Sequence, residues 1–144
     1  SRCAPRRRKK AALRARAARH PGLRVEFTGR LGNDEAFRRM RACTVACVPS
    51  RHEFTEGMPL TLTEALASRT PTVISDHPVF RRAFVEAEGV KSFRAGDAKA
   101  LATTLASVLS DAEDYARLST TTEAAFRRVE CRRSFGDLLT QWST

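Results

Sequence analysis

Along the 144 residues, short apolar runs rich in β-branched side chains alternate with longer stretches whose apolar positions recur every three or four residues. The runs are 23–28, 44–48, 72–75 and 90–93. The second reads Thr-Val-Ala-Cys-Val without polar alternation, the pattern of a strand covered on both faces. Between the runs the helical signals are equally local. Asn33 or Asp34 can cap a helix that would bury Phe37 and Met40, and Pro59 suits the first turn of a helix reaching about Ser68. Asp76 and Pro78 open a helix carrying Val79, Phe80, Ala83 and Phe84. After Gly96-Asp97, Leu101, Leu105, Val108 and Leu109 fall on one helical face. Two more helices are predicted over Ala112–Val129 and Phe135–Trp142.

Strand and helix alternating four times predicts an α/β fold, a Rossmann-like parallel sheet with helices on its faces. In such sheets ligands bind beyond the carboxyl ends of the strands, which directs attention to the loops after Thr28, Val48, Ser75 and Phe93. The domain reading is a basic helix at 1–21, weakly docked because Leu13 is its only large apolar residue, followed by the α/β domain at 22–144.

Charge first suggests a polyanion partner, since 26 Lys and Arg against 16 Asp and Glu give +10. Its location changes that picture. Eleven of the basic residues and only Glu26 of the acidic ones lie in residues 1–30, leaving 15 of each sign in the other 114. The basic segment has no interleaved aromatics for base stacking, which disfavours nucleic acid and leaves peripheral attachment to an anionic membrane open. No apolar run approaches a membrane span and the first residues lack the apolar core of a signal peptide, so a cytoplasmic location is expected, the inner face of the membrane included. Cys3, Cys43, Cys47 and Cys131 form no C-x-x-C pair and read as reduced thiols, with Cys43 and Cys47 in a stretch that wants small buried side chains. Cysteines and the three histidines show no metal-ligand spacing, and no metal or cofactor is expected.

The segment richest in chemistry follows the second run: Pro49-Ser50-Arg51-His52-Glu53-Phe54-Thr55-Glu56-Gly57-Met58-Pro59, then Leu60-Thr61-Leu62-Thr63-Glu64-Ala65-Leu66-Ala67. Gly57 lets backbone approach a ligand closely. A helix starting near Pro59 offers first-turn amides and a dipole to an anion such as phosphate. Carboxylates at Glu56 and Glu64 can accept hydrogen bonds from sugar hydroxyls. By spacing alone, two glutamates eight positions apart read first as charge on a solvated helix.

The run from Pro49 to Asp76 nonetheless resembles the carboxyl-terminal nucleotide-sugar-binding domain of retaining GT-B glycosyltransferases, glycosyltransferase family 4. Val25-Glu26-Phe27-Thr28-Gly29 and Phe93-Arg94-Ala95-Gly96-Asp97-Ala98 are similar to its flanking signatures, in the same order. The resemblance implies transfer of a hexose from a nucleotide-diphosphate sugar donor to an acceptor (a glycan, lipid or small molecule) with retention of configuration. It implies that Glu56 is the catalytic carboxylate at the donor sugar and that Glu64 holds the ribose hydroxyls. Gly57, Met58, Pro59 and Leu60 would line the sugar and diphosphate, and Leu31 would pack near the base; Pro59 has no N–H to give. Glu53 is a competing carboxylate, set aside because Gly57 and Pro59 follow Glu56 at the family's spacing.

Two departures bear on the reading. Family members carry two further strand–helix units upstream, whose loops supply an Arg and a Lys to the diphosphate, and before them an acceptor-binding amino-terminal domain. This chain shows neither, so it is expected to be an incomplete half of a GT-B fold, a fragment or a natural half-domain, and marginally stable. The run 23–28 would then lack a neighbour in the doubly wound strand order. The second departure is Asp76-His77-Pro78, where many members have Gly-Gly; a lone loop histidine such as His77 reads first as structural. The alternative functions are a non-catalytic nucleotide-sugar-binding or regulatory module and, last, polyanion binding by the basic segment.

Overall fold

The computed structural model describes residues 4–55, 57–84, 88–130 and 135–142. The chain forms two compact units, 1–31 and 32–144. In the first unit, α1 (Ala4–Ala17) closes with the His20 amide donating to the Ala17 carbonyl at 3.0 Å, and a further turn follows in which the Leu23 amide donates to the His20 carbonyl at 2.9 Å. The Arg14 guanidinium stands 5.6 Å from the centre of the Phe27 ring. The expected strand at 23–28 is absent. These residues run without a ladder, with Leu23 and Val25 exposed. Their composition suits a strand, but a strand exists only when a neighbour accepts its hydrogen bonds, and the described residues of 23–28 make no such ladder.

That sheet has three parallel strands in the order β1 (Ala46–Val48), β2 (Thr72–Ser75), β3 (Val90–Phe93). Ala46 registers with Thr72 and Thr72 with Val90. The connections are helical, as parallel pairing requires: α3 (Leu60–Ala67) joins β1 to β2 and α4 (Pro78–Ala83) joins β2 to β3. Before the sheet comes α2 (Asn33–Ala42); after it come α5 (Ala98–Ser110), α6 (Ala112–Val129) and α7 (Phe135–Trp142).

β2 is buried at all four positions because helices cover both of its faces. On one face Ile74, Val48 and Val90 meet Leu62 and Leu66 of α3, Phe80 and Phe84 from the α4 segment, and Ala125 of α6. On the other, Val73 and Phe93 meet Val108 and Leu118. Two expectations fail at the periphery. β1, one of the two edge strands, is shorter than predicted and buries only Val48; Cys47 on it is exposed, as is Cys43 at the end of α2. Leu109 is also exposed; the buried stripe of α5 runs through Val108, with Leu101 and Leu105 packed at its margin.

Local chemistry sets the boundaries. Asp97 caps α5 by accepting from the Lys99 and Ala100 amides, both at 2.9 Å, and Asp111 caps α6 through the Glu113 and Asp114 amides at 3.0 Å. At the end of α3 the Thr70 amide reaches the Ala65 carbonyl and the Arg69 amide the Leu66 carbonyl, each at 3.0 Å. This is a Schellman turn, with Arg69 at φ 59° where glycine is usual. Gly89 is constrained more tightly. Its φ is +71° and a Cβ there would lie 2.5 Å from the Thr122 Cα, so α6 crosses directly over the entry to β3.

Candidate functional site

The three strands end together, and the loops beyond them are tied to one another by Asp76. Its amide donates to the Phe93 carbonyl at 2.8 Å, joining the loop after β2 to the end of β3. Its Oδ1 accepts from the Ala95 amide and from His52 Nε2, each at 2.8 Å, and its carbonyl oxygen also faces His52 Nε2 at 3.1 Å. Both atoms facing that nitrogen are acceptors, so His52 carries its proton on Nε2. The Ala95 hydrogen bond, followed by that from His52, holds the Asp76 carboxyl below the usual carboxylate range.

His77, next in the chain, is 95% buried, caps α4 and ties the same loop a second time. Nδ1 accepts from the Val79 amide at 3.4 Å, which places the proton on Nε2, and Nε2 donates to the Phe54 carbonyl at 3.1 Å. The ring meets His52 edge-on at 6.0 Å between centroids and leans on Phe80 at 5.3 Å. Its role is structural, as expected for a loop histidine, but its bond lands on the loop richest in chemistry.

Of the residues singled out in the sequence, Gly57, Met58, Pro59 and Leu60 stand together at the start of α3, with Glu64 in the following turns. Met58 packs against the core, Gly57 is open to solvent, and Leu60 is exposed. Pro59 is the helix cap, one position before the first turn, and its carbonyl accepts from the Leu62 amide at 3.0 Å. Glu64 is half-buried, and its carboxylate has no ion-pair or hydrogen-bond partner among the described residues. Glu56 lies outside the described residues. Leu31 belongs to the first unit. Glu53 is exposed and paired with Arg51 at 3.2 Å, whose guanidinium also stands beside Gly96. A cavity of about 160 Å³ opens behind the loops, lined by Ser75, Phe80, Arg81 and Ser92 among others. Among the described residues no three His, Cys, Asp or Glu side chains gather as a metal site would require, and no helix is long and apolar enough to cross a membrane.

Compared with known families, residues 7–125 match the model of "Glycosyl transferases group 1". The chain belongs to that family. It is similar to the solved sucrose-phosphate synthase of Thermosynechococcus elongatus, at 25% identity and a TM-score of 0.71, over 97% of this chain and 33% of that one. It also matches the C-terminal domain of a glycosyl transferase group 1 family protein from Francisella tularensis. That match has 16% identity and a TM-score of 0.69, over 88% of this chain and 63% of that one. The fold is therefore that of the Rossmann-like carboxyl-terminal half of GT-B enzymes, and the chain spans a third of the synthase's length. No curated protein matches it. The group 1 match begins at residue 7 and so takes in most of the basic segment together with the sheet.

Proposed function

We propose that this chain is the donor-binding part of a glycosyltransferase that moves a hexose from a nucleotide-diphosphate sugar to an acceptor hydroxyl with retention of configuration. The observation that carries the reading is Glu64, half-buried and without a partner among the described residues, on the helix that opens with Gly57 to Leu60 at the carboxyl ends of the strands. In this reading the Glu64 carboxylate accepts from the ribose hydroxyls. The first amides of α3 and its dipole take the diphosphate, stabilising the negative charge that grows on the leaving group. Glu56 acts at the donor sugar, where holding the ring in its reactive orientation is the larger part of the work. Leu31 packs near the base, and the acceptor is held by a separate amino-terminal domain. The chemistry uses no cofactor and proceeds at the cytoplasmic side, with the basic segment 1–21 a separate attachment to the 22–144 domain.

Calorimetric titration of the chain with UDP- and GDP-sugars tests this. One donor should bind, and Glu64→Gln should weaken it roughly tenfold by removing a charged acceptor. In the enzyme containing this chain, Glu56→Ala should abolish transfer with little loss of donor affinity. Equal, small effects of both substitutions would overturn the assignment. Binding without transfer in the whole protein would make it the non-catalytic module that the fold equally supports.

A further inference from the structure

The loop between β1 and α3 is secured at two points in its middle, both by the dipeptide that follows β2. Asp76 holds the His52 side chain at 2.8 Å and His77 holds the Phe54 carbonyl at 3.1 Å. Asp76 is itself fixed by the Ala95 amide from the loop after β3, and Arg81 of α4 is the other charge facing it. None of these bonds reaches α3. That helix is seated independently by Leu62, Ala65 and Leu66, each fully buried, so Glu64 keeps its place whether or not the loop is held. The loop itself has little apolar anchorage, since residues 51–55 and Gly57 are exposed. Up to Gly57 its position therefore depends on the two ties, with Met58 packed on the core beyond them.

We infer that Asp76 and His77 are positioning residues for the sugar-facing half of the donor site: they fix the loop leading to Gly57 while the nucleotide-facing half, at Glu64, is fixed by the core. This rests on the donor reading above. It separates two roles that a collapse of the whole site would merge. Loosening the loop should weaken recognition of the sugar and leave recognition of the bare nucleotide intact.

The test compares Asp76→Ala, His77→Ala and the exposed-side variant His52→Ala with wild type, using UDP-glucose against UDP and GDP-mannose against GDP. Each alanine variant should lose roughly tenfold in affinity for the nucleotide sugar and less than about twofold for the nucleoside diphosphate. Asp76→Asn, which keeps an acceptor for both donors, should recover most of the loss. Equal losses for sugar and nucleotide, or none for either, overturn the inference. Amide exchange decides without any ligand: residues 51–54 and 57 should exchange roughly tenfold faster in the alanine variants, with β2 and α6 unchanged. Exchange that stays slow in the loop, or rises equally across the sheet, overturns it too. If wild type binds neither pair, the donor reading fails, and the exchange result alone rules on the two ties. Should Asp76→Ala not fold, His52→Ala removes the same bond from the loop side.

Discussion

Residues 23–28, with Val25, Phe27 and Thr28, and 72–75, with Thr72, Val73 and Ile74, both carry strand-favouring side chains, yet one runs unpaired with Val25 exposed and the other is the fully buried centre of the sheet. The difference is in what surrounds them. β2 has strands on both sides and helices on both faces, whereas no strand in the described residues accepts the hydrogen bonds of 23–28. Strand propensity describes a side chain's fit to a half-buried pleated surface. It cannot supply the surface.

The sharpest way to break the paired region is Gly89→Ala. The added Cβ meets Thr122 backbone at 2.5 Å and φ is positive, so β3 must move away from α6. A loss of about 4 kcal/mol in denaturant unfolding is expected, of the order that overpacking and backbone strain together produce. Ile74→Ala, 3% exposed in the native chain, should cost about 3 kcal/mol, while Val25→Ala should stay within about 0.5 kcal/mol. Similar costs for the two would show that 23–28 is packed after all.

Acid titration sharpens the contrast further. Asp76, through the Ala95 and His52 hydrogen bonds, and Asp114, through Lys91 at 2.6 Å and then Arg117, have carboxyls held below their ordinary range. A group with a depressed folded pKa stabilises the fold above its unfolded value and loses that contribution as pH falls through the folded one. Stability should therefore drop below about pH 4. Asp76→Asn and Asp114→Asn should each flatten that drop, while exchange in 23–28 stays independent of pH-linked unfolding. The smallest effect expected is a gain of about 0.5 kcal/mol from Arg69→Gly, which relieves the left-handed residue at the entry to β2 and gives up only an exposed ion pair with Glu123.

Much of this was legible in the chain. Asp97 and Asp111 announce α5 and α6 because capping is a contact between near neighbours. The helix at Pro59 and the carboxylate at Glu64 could be placed by local pattern and family likeness. The tie between His52 and Asp76 could not, because 24 residues separate them and no periodicity marks a side-chain bond between loops. The strand-end aspartate was the available sign, and it read as a helix opener. Cys47 was misjudged for the same non-local reason: burial on an outer strand is set by what lies alongside.

That cysteine makes the outer strand chemically addressable. Its thiol is exposed on β1, yet partial burial raises its pKa, so it stays protonated near neutral pH and reacts with alkylating reagents more slowly than an ordinary exposed thiol. A label placed there at elevated pH would sit on an edge strand of the sheet, and its environment would report any chain that comes to lie beside β1.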